Sequence, residues 1–352
     1  MEKIKIGIIG VGSIAETHIG AYLKNPNVEL YAFCDINKKR LDEMSEKYGV
    51  TRTFTKYEDM LALDEIDAVS VCTWNSAHAP CTIAALNAGK NVLCEKPMAT
   101  SVEDAVKMKE AAEKNGKLLM IGFVRRYGND CKIVQDFIEN GFFGELYHAK
   151  ATYLRRNGNP CGWFGDKSRS GGGPLIDLGV HVIDLVRYLY GNPKPVSVYG
   201  VTHRKLGNRN ELKDKKGYVS TSATDHDICD VEDLAFATIR FDNGATLSVE
   251  ASFSLNIKND QGTIELFGTK AGAKLNPELE LYSVTNGYMT DINLKAPTAL
   301  SFEGLFEGEI NHYVDCMING TKCIAPAQDG VDMMKILCGI YESANTGHEV
   351  ML

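Results

Sequence analysis

The strongest constraint on the fold is the order of elements in the first third of the chain. Residues 3–9 (Lys-Ile-Lys-Ile-Gly-Ile-Ile) read as a strand that becomes buried on both faces, and Gly10-Val11-Gly12-Ser13-Ile14-Ala15 follows it directly. A helix from about Ser13 to Leu23 comes next, with Ala15, Ile19 and Leu23 on one stripe. The alternation continues through strand 28–34, helix 38–48, a short helix 57–63, strand 68–72, helix 79–88, strand 91–94, helix 102–115 and strand 118–124. Such βαβ spacing demands a parallel sheet covered on both faces by helices. It stops near residue 125.

Beyond that point the pattern changes. A helix around 131–140 leads into a strand at 147–154, and segments 196–203, 234–241, 245–253, 262–268 and 278–284 also read as strands. Turn signals such as Asp242-Asn243-Gly244 and Asn286-Gly287 join them without crossover helices, so this second sheet is expected to be largely antiparallel. Helices are expected at 177–190, 302–318 and 329–346, and the polar stretch 204–230 reads as a long exposed loop. At roughly 150 residues per domain, 352 residues give about two domains, here 1–124 and 125–352, with the last helix free to return to the first.

Composition excludes several functions. A formal charge of −8, with its densest basic runs at Lys38-Lys39-Arg40 and Lys213-Asp214-Lys215-Lys216, does not suit a general nucleic-acid binder. No apolar stretch approaches the roughly 18–20 residues that cross a bilayer, and the N-terminus reaches glycine and charge too early for a signal peptide. The ten cysteines include no CxxC pair and fit a reduced, cytoplasmic setting better than a disulfide framework.

The glycine turn has the GxGxxA pattern. Gly10 permits the tight turn, Gly12 carries no Cβ to block a pyrophosphate, and Ala15 allows close packing of helix on strand. The N–H groups of the helix start, from Ser13 and Ile14 onward, face the anion. A glycine-rich turn without a ligand has the same pattern. Asp35 adds weight, because it ends the second strand, where a carboxylate accepts hydrogen bonds from an adenosine ribose and repels a 2′-phosphate. NAD is therefore favoured over NADP, although Lys38, Lys39 and Arg40 could offset the repulsion. Asp35 as a helix N-cap is the structural alternative.

Two stretches carry candidate chemistry. Cys94-Glu95-Lys96-Pro97 sits at the C-terminal end of a parallel strand, where open α/β sheets bind ligands, and a lysine there can polarise a substrate hydroxyl. In Gly171-Gly172-Gly173-Pro174-Leu175-Ile176-Asp177-Leu178-Gly179-Val180-His181-Val182-Ile183-Asp184, Asp177 and His181 lie four apart on one helical face. A histidine held by a carboxylate is a fitting general base. A surface acid–histidine pair gives the same spacing. A metal held by Asp177 and His181 lacks a third ligand, so no metal is expected.

Together with Cys72-Thr73-Trp74-Asn75-Ser76-Ala77-His78, Gly122-Phe123-Val124-Arg125-Arg126-Tyr127 and Asp230-Val231-Glu232-Asp233, these motifs resemble in order the glucose–fructose oxidoreductase / inositol dehydrogenase (Gfo/Idh/MocA) family. The resemblance implies an N-terminal Rossmann dinucleotide-binding domain and a C-terminal α+β domain. The latter's open, mostly antiparallel sheet would make dimer or tetramer contacts. It implies Lys96, Asp177 and His181 as the catalytic group: His181 as base, Lys96 polarising the hydroxyl oxygen, Asp177 holding a second hydroxyl or tuning His181. Thr73, Asn75, His78 and Glu95 would line the cofactor, with Arg126 and Tyr127 beside nicotinamide and substrate. Trp74, where many relatives carry proline, would alter the ribose pocket. The two catalytic stretches are required to converge on one cleft.

Tyr153, Arg155, Arg156, Asn157, Asn159 and Trp163 cluster before the glycine run, with Tyr153 and Arg155 read as facing opposite ways. Arg and Asn bond vicinal hydroxyls and Trp stacks on a sugar face, which favours a polyol ring: an inositol, a monosaccharide or a glycoside. Packing of Trp163 on Phe164 within the loop is the alternative. The resemblance also leaves open a redox-neutral, NAD-using glycosidase and a non-catalytic dinucleotide sensor. Retention of all three catalytic-type residues weighs against the sensor.

Overall fold

The computed structural model describes residues 2–213, 217–295, 297–298 and 300–352, so Asp214, Lys215 and Lys216 of the second basic run lie outside the described residues. The chain forms two compact units, Met1–Phe123 with Glu303–Met334, and Val124–Phe302 with Lys335–Leu352.

The first unit begins with β1 (Ile4–Ile9), α1 (Ser13–Lys24), β2 (Val28–Cys34), α2 (Lys38–Tyr48), β3 (Thr53–Phe54) and α3 (Tyr57–Leu61). It continues with β4 (Ala68–Val71), α4 (Asn75–Asn87), β5 (Asn91–Glu95), α5 (Val102–Asn115) and β6 (Leu119–Gly122). Ile6, Ile8 and Ile9 of β1 are buried in succession, as expected of a central strand covered on both faces. The sheet is parallel, with order β3-β2-β1-β4-β5-β6. Strand order therefore reverses at β1, which opens a crevice between the loops that follow β1 and β4. Helix α4 starts four residues before the expected Ala79, directly after the extended Trp74, and Pro80 lies inside it. Edge strand β3, two residues long, is too short for a period to reveal it. The helix Phe302–Asn319 buries Leu305, Phe306, Ile310, Tyr313 and Val314, and the Ile121 N–H donates to the Ala325 carbonyl at 3.0 Å.

The second unit contains α6 (Asn129–Glu139), β7 (Leu146–Leu154), the single turn α7 (Lys167–Ser170) and a π-helical turn at Leu175–Gly179 that runs into α8 (Val180–Leu189). Seven strands follow: β8 (Pro195–His203), β9 (Leu234–Phe241), β10 (Thr246–Ser252), β11 (Gln261–Gly268), β12 (Ala271–Leu275), β13 (Glu280–Thr285) and β14 (Tyr288–Ile292). With β15 (Val350–Met351) they form a sheet of order β14-β13-β12-β11-β7-β10-β9-β8-β15. The β7–β10 pair is parallel and the remaining neighbours are antiparallel. Alternation is clean on β9, where Ala235, Ala237, Ile239 and Phe241 are buried while Phe236 and Arg240 are exposed. The buried face receives α8 and the π turn: a Cβ on Gly179 would lie 3.5 Å from that of Ala251. Asn286 and Gly287 both have positive φ (52° and 84°), the requirement of a two-residue type I′ turn, and they join β13 to β14. Strands β12, β14 and β15 were not anticipated, since Ala-Gly-Ala-Lys-Leu has weak strand preference and β15 is two residues long.

Arg126 and Asp184 form the main buried ion pair of this unit. The guanidinium donates from Nε at 3.0 Å and from Nη2 at 2.6 Å to the two carboxylate oxygens, beneath the Tyr188 ring at 4.7 Å. Both side chains are essentially inaccessible. Asp184→Ala strands a buried cation and is expected to cost about 3–5 kcal/mol. A urea midpoint unchanged from the native chain would refute that assignment.

Candidate active site

The first unit supplies a dinucleotide cradle. Gly10 has φ of 84°, and a Cβ there would stand 2.8 Å from the Cys72 carbonyl oxygen, so the turn admits no side chain. A Cβ on Gly12 would meet nothing within 4 Å, leaving open space in front of α1. Gly12 begins the helix without a side-chain cap, so its N-terminal dipole is unmasked. Asp35 accepts from the N–H of Val11 at 2.8 Å and from that of Asn37 at 2.8 Å. Each of its oxygens keeps a second lone pair for a ribose hydroxyl. The cap of α2 is Asn37, which accepts from the Arg40 N–H at 3.2 Å, so Asp35 is not the N-cap. Arg40 is tied to the Val11 carbonyl at 2.9 Å and to Glu16, and Lys38 to Asp42. These bonds hold two of the three cations of the basic run, Lys38 and Arg40, to partners within the protein.

The loops after β4 and β5 are joined by His78, whose Nδ1 faces the Pro97 carbonyl at 2.7 Å and Nε2 the Thr73 carbonyl at 3.1 Å. Burial holds its basicity below the usual histidine range, outweighing the pull of Pro97 and Glu95. His78 thus positions Thr73 and the Lys96-Pro97 segment, whose peptide bond is cis. Trp74 precedes α4 without a side-chain cap, and Asn75 opens that helix, buried. Lys96 is half-buried, and its N–H donates to Oε2 of Glu95 at 3.1 Å.

The sequence reading did not find the surroundings of Glu95. His18 on α1 bonds it through Nε2 at 2.9 Å and faces the Ser70 hydroxyl at 3.3 Å. Glu309, from the helix Phe302–Asn319, lies beside the pair, fully buried, and neither of its oxygens has a hydrogen-bond partner among the described residues. Burial and the Glu95 charge push the Glu309 carboxyl far above its ordinary range. Burial also works against ionisation of Glu95, but His18, Lys96 and His78 outweigh it and hold Glu95 low. One carboxylate and one carboxylic acid therefore share this pocket.

In the second unit the glycine run is fixed by Glu232. Its buried carboxylate accepts from the N–H of Gly173 at 2.9 Å, the N–H of Leu175 at 3.2 Å and the Tyr341 hydroxyl at 2.8 Å. It thus caps the helical start from outside the helix. Burial pushes its pKa up, and these three donors offset part of the rise. A Cβ on Gly172 would stand 2.0 Å from the Tyr341 hydroxyl, and one on Gly173 would stand 2.4 Å from the Glu232 carbonyl oxygen. Among the described residues of 172–187, only Asp177 and His181 are not fully buried. Asp177 and His181 are thus half-buried in an apolar frame, unlike the surface pair that the same spacing also allowed. Single π turns of the kind that carries Asp177 recur at functional sites.

Tyr153 and Arg155 do not face opposite ways. Two residues apart on extended chain, they share a face, and the guanidinium reaches the phenol at 3.3 Å. Burial opposes the charge on Arg155, yet Tyr153 and Asp177 more than compensate, so its proton is held more firmly than usual. Arg156 is exposed, and its guanidinium bonds the Lys258 carbonyl. Trp163 stacks on Phe164 with centroids 3.9 Å apart, and Asn159 pins the loop through the Cys161 N–H at 2.6 Å. Tyr127 is buried. The 217–230 stretch folds against residues 160–167, with the Ser220 N–H on the Pro160 carbonyl at 2.7 Å and the Asp230 N–H on that of Gly165 at 3.0 Å.

This sheet order, the open glycine turn and the carboxylate at the end of β2 are those of a dinucleotide-binding Rossmann domain. Residues 4–123 match the model of the oxidoreductase family with an NAD-binding Rossmann fold, and residues 132–274 that of the GFO/IDH/MocA C-terminal domain. The D-glucoside 3-dehydrogenase of Escherichia coli K12 is 35% identical over 99% of this chain and 97% of its own length. The levoglucosan dehydrogenase of Pseudarthrobacter phenanthrenivorans is 29% identical over 79% of this chain and 75% of its own. Among solved structures, the aldose-aldose oxidoreductase of Caulobacter crescentus complexed with glycerol superposes with a TM-score of 0.81 at 25% identity, covering both chains fully. A levoglucosan dehydrogenase complex with NADH shares the fold, with a TM-score of 0.85 at 24% identity over 99% of each chain. The chain belongs to the Gfo/Idh/MocA family of NAD-binding oxidoreductases.

Two outcomes test this description. Gly12→Val fills the open space before α1 and is expected to weaken NADH binding at least about tenfold, roughly 1.4 kcal/mol, with the melting temperature unchanged. Undiminished affinity would place the dinucleotide elsewhere. For Glu309, the folded chain keeps its proton to higher pH than the unfolded chain, whose carboxyl has an ordinary glutamate pKa of about 4.3. Stability contributed by this group accordingly falls as pH rises through that window. Glu309→Gln cannot titrate, so its stability relative to the native chain should grow from about pH 5 to about pH 8. A constant gap would show Glu309 ionised in the folded state.

Proposed function

We propose that the protein oxidises a secondary hydroxyl of a sugar, an inositol or a glycoside with NAD, using Lys96, Asp177 and His181. The observation that carries this reading is the pair Asp177–His181, half-open in an otherwise buried helical run. When bound, NAD supplies the hydride acceptor. Gly10, Gly12, Ser13 and Ile14 would hold its pyrophosphate, Asp35 its ribose, and Thr73, Trp74, Asn75 and Glu95 would form the wall at the next loop.

His181 takes the proton from the substrate hydroxyl, and Lys96 hydrogen-bonds the same oxygen and stabilises its developing negative charge. Asp177 orients a neighbouring hydroxyl or the His181 ring. Arg155, paired electrostatically with Asp177, joins Tyr127, Arg156 and Trp163 as candidates for ring hydroxyls and faces. Sugar- and glucoside-oxidising relatives support a cyclic polyol as substrate. Ten cysteines, none of them in a disulfide, support a reduced, cytoplasmic setting. The outward face of the second sheet, with Tyr199 and Phe236 at 42% and 39% exposure, supports self-association.

A panel of inositols, hexoses and aryl glycosides with NAD, followed for both NADH appearance and aglycone release, separates oxidation from redox-neutral cleavage and from mere binding. NADH formation on at least one cyclic polyol is expected. Aglycone release without net NADH would overturn the dehydrogenase reading in favour of the glycosidase. His181→Ala should lower kcat by about 10²–10⁴ while leaving the NADH dissociation constant within twofold of native. Full turnover at neutral pH in that variant would remove His181 from the proton transfer.

A further inference from the structure

The first unit carries a second cluster of chemistry-bearing side chains, at the C-terminal end of the helix Phe302–Asn319. His312 and Cys316 lie one turn apart on that helix, and Cys323 returns to them after a tight reversal, giving the spacing H-x3-C-x6-C. His312 Nε2 stands 3.4 Å from Cys316 Sγ, and the candidate ligand atoms of all three residues lie within 4.8 Å of one another. Tetrahedral zinc with bonds of about 2.3 Å to sulfur and about 2.0–2.1 Å to nitrogen sets N and S about 3.5 Å apart and two sulfurs about 3.8 Å apart. The His312–Cys316 pair already lies close to its ideal separation, and Cys323 lies within 4.8 Å of both.

The turn that brings Cys323 back is built independently of any ion. Gly320 adopts φ of 68°, and Asp315 accepts from Asn319 Nδ2 at 2.5 Å and from the Thr321 hydroxyl. The Ile324 N–H donates to His312 Nε2 at 3.1 Å, which requires that nitrogen to be unprotonated in the neutral ring. The same Nε2 faces Cys316 Sγ, so the tautomer a metal needs is present, and an ion would replace the Ile324 N–H at its lone pair. Neither cysteine is in a disulfide and both are part-exposed, so an ion can enter and a water can complete the shell.

We propose that His312, Cys316 and Cys323 bind one zinc-class divalent cation, a borderline-soft ion suited to one imidazole and two thiolates. Binding displaces the two thiol protons to solvent, forms two metal–sulfur bonds and one metal–nitrogen bond, and changes no oxidation state. The ion clamps the end of this helix to the segment that follows it. The role is structural and separate from hydride transfer. The sequence reading, which expected no metal, looked for CxxC pairs and for ligands near Asp177; the spacing here uses one helical turn and a loop.

The test uses the full chain, reduced, stripped with chelator and titrated anaerobically with Co²⁺. One equivalent is expected to bind with a thiolate-to-cobalt charge-transfer band, which added Zn²⁺ abolishes. Cys316→Ser and Cys323→Ser should each lose the band, and Cys338→Ser should retain it. A thermal shift with NADH in each variant confirms that the protein is folded. No band in the native chain, or a band undiminished in both folded serine variants, would overturn the proposal.

Discussion

The polar face of the second unit depends on a single buried carboxylate. The helical run that carries Asp177 and His181 starts under cover, where unpaired N–H groups are costly and where glycines leave no side chain to cap them. Glu232 meets that need from a distant part of the chain, and its Oε1, which takes the Leu175 N–H, also binds Tyr341. The contacts at Gly172 and Gly173 show why glycine is required there: any side chain would displace the capping groups themselves. The start of the helix, and with it the placement of Asp177, is thus set by an acid some sixty residues away, the separation being 59 from Gly173.

A related economy governs the first unit. Glu95 keeps its charge because His18 stands beside it, while Glu309 gives up its own. Two acids in one dry pocket cannot both ionise without large Coulomb and desolvation costs. The segment that leads into Lys96 therefore rests on a pair with one net negative charge. His78 acts on the same segment from the other side through the Pro97 carbonyl.

Much of this was readable from residue order. Period-two and period-3.6 patterns with glycine punctuation suffice for the parallel sheet, the switch to an antiparallel one, and the GxGxxA turn with its acid. What escaped has physical reasons. Strand β3 and strand β15 are too short to carry a period, and β12 takes its strand form from its neighbours. The start of α4 was misplaced because Pro80 is tolerated within the helix. Glu232, Glu309 and Tyr341 act through contacts between residues far apart in sequence, which spacing does not encode. Tyr153 and Arg155 were misjudged although period-two reasoning puts residues two apart on one side. Asn37, a better-placed cap, freed Asp35 from the structural role that competed with ribose binding.

The π turn at Leu175–Gly179 amounts to one residue more than a regular helix would need over the same length. Removing Leu178 would let the winding relax to the ordinary 3.6 per turn and shorten the spacing of Asp177 and His181 from four residues to three. It would also turn Asp177 by one residue's rotation, roughly 100°, relative to His181. Asp177 would then leave its neighbour's side of the helix, so this stretch should tolerate exchanges of apolar side chains but not changes in its length.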